Sequence, residues 1–135
     1  MSEKLNRTAR VFAAISGALA VALGAFGAHA LEDFLIERGT KGTWETAVLY
    51  HLTHAIALLA VALYPAVAVA KLGCWVLRLW IVGPLLFSGS VYLLAVGAPG
   101  WVAPITPLGG VAMLAGWVLL AVTLARAPFD STSSR

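Results

Sequence analysis

Four long runs of apolar residues, separated by short polar or glycine-rich links, dominate the pattern of this chain. A membrane core about 30 Å thick requires roughly 20 consecutive apolar residues in a helix. The runs predict spans at about residues 11–31, 43–70, 75–98 and 102–125. Because backbone groups in lipid must bond within a span, strands are excluded in so short a chain. The pattern predicts a single all-α transmembrane domain over residues 1–135, an integral membrane four-helix bundle.

The composition agrees with a membrane location. Apolar residues make up 61% of the chain and charged residues 11%, against about half and a quarter in soluble domains. The lipid bilayer is therefore an expected partner. The net charge is +3, but the basic residues are scattered around the apolar runs and form no stripe, which excludes nucleic acid as a partner.

The basic residues also predict an orientation. Only Arg38 and Lys41 lie in the first link, where acidic residues outnumber them. By the positive-inside rule, the side with more basic residues is cytoplasmic. We therefore expect a multi-pass protein of the cell inner membrane with both termini in the cytoplasm. The other seven basic residues all lie on that side: Lys4, Arg7, Arg10, Lys71, Arg78, Arg126 and Arg135.

The first apolar run has two interpretations. Its basic start and the closing Ala28-His29-Ala30 match a cleavable signal peptide. However, the run exceeds the roughly 7–15 apolar residues of a signal peptide. It also carries glycines one heptad apart, which let membrane helices pack closely. We expect a retained span with His29 at its outer end, and we expect six glycines to pack helices together: Gly17, Gly24, Gly83, Gly89, Gly109 and Gly116.

Polar side chains inside the spans are the candidate functional residues, because each needs a partner or water there. The second span holds the densest group, in WETAVLYHLTH, and the other spans add polar residues at similar depth. Whether these side chains converge depends on helix rotation, which a single sequence does not fix. The candidate ligand-binding pocket comprises His29, Tyr50, His51, His54, Ser88, Ser90, Tyr92 and Thr106.

Two functions are open for such a pocket. The leading hypothesis is a non-enzymatic protein that binds a small ligand, a lipid or a partner, which includes another membrane protein or a second copy as a homo-oligomer. The alternative is a metal- or haem-binding redox protein that uses His29 and His54 as weak candidate ligands. The chain has no H-E-x-x-H or C-x-x-C-H motif and a single cysteine, so no cofactor is predicted. It also lacks a nucleophile beside a base at motif spacing, and no span carries an interior Asp or Glu for proton-coupled transport.

The first link, LEDFLIERGTKG, is either a solvated loop or a short interfacial helix that ends at Gly39. Thr43 is the expected N-cap of the following helix. Trp44 is expected at the outer membrane interface, where indole rings are common.

Four motifs resemble those of a known family: GALAVALGAFGAHAL, W-E-T-A-V-x-Y-x-x-x-H-A, LLFSGSVYLL and ITPLGGVAMLAGW. In this order the chain resembles the bacterial "domain of unknown function 423" membrane proteins, which are related to transmembrane protein 256 of animals. The resemblance implies a four-helix inner-membrane protein with a retained first span, but no activity. His51 departs from the family pattern. The shared polar and small residues that the resemblance implies are His29, Tyr50, His54, Ser88, Gly89, Ser90, Thr106, Pro107, Gly109 and Gly110.

Overall fold

The computed structural model describes residues 2–68 and 70–126. The helices of this part are α1 (Ser2–Ala28), α2 (Glu32–Glu37), α3 (Lys41–Leu63), α4 (Pro65–Ala68), α5 (Lys71–Ala95) and α6 (Ile105–Arg126), with a 3-10 turn at Gly100–Val102. Four of them, α1, α3, α5 and α6, are long and apolar enough to cross a membrane. The predicted all-α class with four spanning helices is thus confirmed. Arg135, which supported the predicted orientation, lies outside the described residues.

The spanning helices pack in the order α1, α3, α5, α6. Helix α5 is central, because it packs against both α3 and α6 and also reaches α1. Over residues 2–68 and 70–126, contact between α1 and α6 is at most marginal. The bundle is therefore open on the side between its first and last spans.

Pro65 interrupts the second predicted span, at residues 43–70. Proline lacks a backbone N–H and disfavours the helical conformation at the preceding residue. Tyr64 accordingly has φ −96° and ψ 99°, and α3 stops at Leu63. The predicted span to residue 70 is instead a helix followed by the short α4.

The first link folds as a short helix, which confirms one of its two interpretations. Helix α2 is followed by Gly39 with φ +66°, a conformation that favours glycine. The N-cap of α3 is Thr40 instead of Thr43, and its hydroxyl makes no capping bond. It donates a hydrogen bond to the Ala95 carbonyl oxygen at 2.8 Å, which ties the start of α3 to the end of α5.

An ion pair also closes this link. Lys41 Nζ lies 2.6 Å from Glu32 Oε1. The hydrogen bond from Lys41, followed by its positive charge, lowers the pKa of Glu32 below the ordinary 4.5. Both side chains are well exposed, so the pair fixes geometry more than it adds stability.

Five of the six glycines expected at helix contacts lie against a neighbouring helix. A Cβ added to Gly83 would lie 2.8 Å from Met113 Cγ, and one added to Gly24 would lie 3.3 Å from Val48. Gly89 differs, since an added Cβ would meet nothing within 4 Å. The other three in contact with a neighbouring helix are Gly17, Gly109 and Gly116.

Two apolar clusters stack along the bundle, and a group of polar residues lies between them. The cluster nearer the chain termini includes Leu58, Leu77 and Trp80. The cluster nearer the first link is built from Leu35, Trp44 and Ala95. The polar side chains that fall between these two levels, and so share one layer, are Ser16, His51, His54, Ser88 and Ser90.

Candidate functional site

His51 joins three helices through its two ring nitrogens. Its Nε2 lies 2.9 Å from Ser16 Oγ on α1, and its Nδ1 lies 3.4 Å from the Tyr92 hydroxyl on α5. Hydroxyl groups both donate and accept, so either imidazole tautomer satisfies both contacts. His51 and Tyr92, both in the predicted pocket, are therefore brought together, and both ring nitrogens of His51 have protein partners.

The Ser16–His51 contact has the distance of a nucleophile and its base. Catalysis also requires that a substrate carbonyl reach the serine oxygen. Ser16 is only 6% exposed and lies between helices, and the group that orients His51 is a phenol instead of a carboxylate. The geometry therefore favours an interhelical hydrogen bond.

His54 is held in one tautomer. The Trp117 indole donates its N–H to His54 Nε2 at 3.3 Å, so Nε2 carries a lone pair. The proton of the neutral ring is then on Nδ1, 2.9 Å from the Tyr50 carbonyl oxygen, which can only accept. The ring edge also packs against Trp80, with centroids 5.9 Å apart. Since both nitrogens are engaged, His54 could ligate a metal only by giving up a hydrogen bond.

His29 lies apart from the other two histidines. It follows the end of α1 and is exposed. His54 lies 13 residues after the first residue of α3, or about 20 Å deeper at 1.5 Å per residue. The structure therefore does not bring together the two residues of the metal hypothesis. In the described part of the chain, no three His, Cys, Asp or Glu side chains form a group that could hold a metal ion.

Tyr50 lies at the surface of the bundle. Its ring packs on Phe87, with centroids 4.8 Å apart, and stacks on His54 at 6.2 Å. The residue is 40% exposed, and its hydroxyl makes no hydrogen bond within the described residues. It is therefore a polar group of the candidate set that is left open to the surroundings.

The three remaining hydroxyl residues of the candidate set, on α5 and α6, separate into a bonded pair and a single residue. Ser90 Oγ lies 2.7 Å from Thr106 Oγ1 and also bonds the Phe87 carbonyl oxygen at 2.9 Å. Ser88 is 1% exposed, and its hydroxyl has no partner among the described residues. The structure therefore brings predicted residues together in pairs, which are His51 with Tyr92, Tyr50 with His54, and Ser90 with Thr106.

A groove of about 430 Å³ opens beside Ser90. We call it the Gly89 groove, since Gly89 leaves it open. Trp101, which is 72% exposed, lies at the end of the groove next to the link between α5 and α6. Its lining residues are Leu85, Leu86, Gly89, Ser90, Leu93, Trp101, Val102 and Ile105. The groove is lined mainly by apolar side chains and has one polar group, as binding sites for small molecules commonly do.

The sequence pattern does not single out several residues that form polar contacts between helices. Ser16 is only an interruption of the first span in the sequence, although it supplies the partner of His51. Trp44, expected at the interface, is 5% exposed and donates its N–H to the Leu23 carbonyl oxygen at 3.0 Å. Trp80 donates in the same way to the Met113 carbonyl oxygen at 3.2 Å. A tryptophan that faces a glycine of another helix is the signal they share.

Comparison with known proteins decides the family. Residues 23–110 match the model of the family described as "Protein of unknown function (DUF423)". The chain belongs to the DUF423 family. The UPF0382 membrane protein YwdK of Bacillus subtilis is 40% identical over 114 residues, which cover 83% of this chain and 91% of that protein. The UPF0382 inner membrane protein YgdD of Escherichia coli is 40% identical over 120 residues, covering 87% of this chain and 88% of that protein.

A third relative comes from another bacterium. A UPF0382 membrane protein of Haemophilus influenzae is 44% identical over 109 residues, covering 80% of this chain and 86% of that protein. No solved structure matches the chain. The names of these DUF423 relatives and the four spanning helices confirm the predicted membrane location, with the inner membrane named for the Escherichia coli protein. None of the names refers to an enzymatic activity.

Proposed function

We propose that this DUF423 protein is non-enzymatic and binds a membrane lipid, or a similar amphipathic molecule, in the Gly89 groove. The proposal rests on the open floor of the groove. The other predicted packing glycines are in contact with a neighbouring helix, whereas a Cβ on Gly89 would meet nothing within 4 Å. Here the chain leaves space that a hydrocarbon segment could fill.

The lining matches the two ends of an amphipathic molecule. Leucine and isoleucine side chains offer contact to an acyl chain, and Ser90, whose hydroxyl is bonded to Thr106, adds one polar residue to the lining. The exposed indole of Trp101 at the rim is typical of side chains at the membrane interface. With both termini in the cytoplasm, as the basic residues predict, the groove faces the outer leaflet.

The volume supports a ligand of moderate size. At about 430 Å³ the groove lies within the range of about 300–1,000 Å³ found for small-molecule sites. It holds one segment of a lipid chain, so affinity depends on both the chain and the polar group near Trp101.

Filling the groove tests this function. Gly89→Trp places an indole in the open space, whereas Gly89→Ala adds one carbon that meets nothing within 4 Å. Each variant is purified in mild detergent and incubated with phosphatidylethanolamine, and the bound lipid is counted by native mass spectrometry. We expect the wild type and Gly89→Ala to retain lipid and Gly89→Trp to lose it.

A matched control separates the groove from a general effect of tryptophan. Leu114 is well exposed on α6 and does not line the groove, so Leu114→Trp should retain lipid. Thermal unfolding shows whether each variant is folded. Equal lipid retention by folded Gly89→Trp and by the wild type would overturn the proposal.

A further inference from the structure

Arg38 packs against the link that joins the two walls of the Gly89 groove. One wall is α5 up to Leu93, and the other is the 3-10 turn with the start of α6. The link between these walls contains Gly97, and a Cβ added to Gly97 would lie 2.9 Å from Arg38 Cζ. The guanidinium therefore lies against the link at the Trp101 end of the groove.

The backbone at the end of α5 leaves room for this guanidinium. The N–H of Ala98 donates to the Leu93 carbonyl oxygen at 2.9 Å. The N–H of Gly97 donates to the Leu94 carbonyl oxygen at 3.1 Å, and the two bonds together form a Schellman motif. Gly97 has φ +96° in this motif, a conformation that favours glycine. The guanidinium lies where any other residue would place its side chain.

Packing fixes the Arg38 side chain, but its hydrogen-bond donors are not used within the protein. Its Cζ lies 5.4 Å from the centroid of the Phe34 ring. In the described part of the chain the guanidinium makes no hydrogen bond, and the one ion pair joins Lys41 to Glu32. A guanidinium has five N–H donors in a plane, an arrangement that matches the oxygens of a phosphate. Arg38 therefore offers an oriented, exposed cation beside an apolar groove.

We infer that the lipid in the Gly89 groove is a zwitterionic phospholipid and that Arg38 binds its phosphate. The inference rests on the proposed function, because the acyl chain in the groove brings the phosphate to the guanidinium. Gly97 follows Leu93 by four residues, so the guanidinium lies about one helical turn beyond the last groove residue of α5. The glycerol of a phospholipid carries both the chains and the phosphate, so one molecule can occupy both places.

The charges around Arg38 favour a headgroup without net charge. Lys41 neutralises Glu32. Asp33 and Glu37 are exposed and make no ion pair within the described residues. These two carboxylates repel a lipid of net negative charge such as phosphatidylglycerol, whereas the ammonium of phosphatidylethanolamine compensates its phosphate. The preference for phosphatidylethanolamine should be modest, because water and salt screen exposed charges.

The phosphate contact is tested by comparing phosphatidylethanolamine with a diacylglycerol of the same acyl chains, which lacks the phosphate. Native mass spectrometry counts each lipid on the protein. The wild type should retain the phospholipid roughly 10-fold better, as expected for a hydrogen-bonded contact to a charged group. Arg38→Gln should bring this ratio close to one by losing phospholipid and keeping diacylglycerol. Arg38→Lys keeps the charge without the planar donors and should give an intermediate ratio.

Arg78 provides a matched control at the other end of α5. It is also exposed and packs on an aromatic ring, with Cζ 5.1 Å from the centroid of Trp75. Arg78→Gln should leave the lipid ratio unchanged. If Arg38 only stabilises the end of α5, Arg38→Gln will lower the unfolding temperature without changing the ratio, and the inference is overturned. Better retention of phosphatidylglycerol than of phosphatidylethanolamine by the wild type would also overturn it.

Gly89→Trp distinguishes failure of this inference from failure of the proposed function. If Gly89→Trp loses both lipids while folded Arg38→Gln keeps the wild-type ratio, the groove binds lipid but Arg38 does not bind its phosphate. If Gly89→Trp retains both lipids as the wild type does, the groove is not the lipid site, and the proposed function and this inference are both wrong.

Discussion

Helices α1 and α3 pack along one contact, which we call the α1–α3 seam, and α5 and α6 pack along another, the α5–α6 seam. Both seams contain glycines, but the helices approach each other to different extents at those glycines. In the α5–α6 seam a Cβ on Gly109 would lie 2.7 Å from the Gly83 carbonyl oxygen and 2.8 Å from Phe87 Cα, so backbone packs on backbone. In the α1–α3 seam the nearest atom to a Cβ on Gly17 is the methyl group of Ala55, at 3.9 Å. A glycine permits two helix backbones to approach closely, but the residue that faces the glycine determines how close they come.

The looser seam leaves space at the surface. A groove of about 510 Å³ runs beside Gly17 and Ala55, and its walls are alanine and apolar side chains. We expect α5 and α6 to be the fixed part of the bundle and α1 to be the part with more freedom.

Both seams nevertheless contain a tryptophan that packs against a glycine of the neighbouring helix and donates a hydrogen bond to its backbone. The indole of Trp44 lies against Gly27 and donates to the carbonyl oxygen of Leu23. The indole of Trp80 lies against Gly116 and donates to the carbonyl oxygen of Met113. In each case the missing Cβ lets the ring reach a backbone oxygen about one turn earlier on the neighbouring helix.

The largest expected difference in unfolding free energy is between Gly109→Ala in the α5–α6 seam and Gly17→Ala in the α1–α3 seam. Gly109→Ala forces the Phe87 backbone away and should lower the free energy of unfolding by about 1–3 kcal/mol. Gly17→Ala meets only ordinary van der Waals contact, so it should raise the free energy of unfolding by about 0.5–1 kcal/mol, since alanine is favoured over glycine inside a helix. Unfolding in mixed detergent micelles measures both. Gly110→Ala is the local control, because its Cβ would lie 3.7 Å from the Phe87 ring; equal losses at residues 109 and 110 would contradict the backbone contact.

Because both seams contain such a tryptophan, replacing it should lower the free energy of unfolding equally in the two seams. Trp80→Phe and Trp44→Phe each remove one interhelical hydrogen bond and part of a buried ring, and each should cost about 2 kcal/mol. The same unfolding measurement applies. If only Trp80→Phe lowers the free energy of unfolding, the Trp44 hydrogen bond adds little to stability. The two seams would then be alike in geometry but not in energy.

A smaller effect is expected for the polar contact that is special to the α1–α3 seam. Ser16→Ala leaves one ring nitrogen of His51 without a partner and should cost about 0.6 kcal/mol, the average for membrane hydrogen bonds. Tyr92→Phe is the companion variant. If Ser16, His51 and Tyr92 form one hydrogen-bonded network, the loss of unfolding free energy in the double variant will differ from the sum of the losses in the single variants.

The smallest effect concerns the link that joins α1 to α3. Lys41 lowers the pKa of Glu32, so the folded pKa lies below the unfolded one. The ion pair is then fully stabilising above the unfolded pKa and is lost as pH falls through the folded pKa. Titration of the Glu32 carboxyl by NMR should show an upward shift in Lys41→Gln. An unchanged pKa would mean that the ion pair does not form in solution.

The sequence predicts the spans and the layer of polar residues well, because both depend on apolar runs and on depth. It does not predict partners across helices, since these depend on rotation about each axis. Ser16 and His51 meet only because α1 turns its serine towards α3. The open space at Gly89 is not predictable for the same reason: its spacing is that of a packing glycine, but its face is turned away from the neighbouring helices.

Lipid binding in the Gly89 groove is tested most directly by photo-cross-linking in vesicles that contain a phosphatidylethanolamine with a photoreactive acyl chain. Peptide mapping then locates the lipid adducts. We expect enrichment at groove residues such as Leu85 and Leu93 over Leu114, which is exposed on α6 outside the groove. Equal labelling of all three residues would mean that the groove meets lipid only as any membrane-facing surface does, and would contradict a lipid site there.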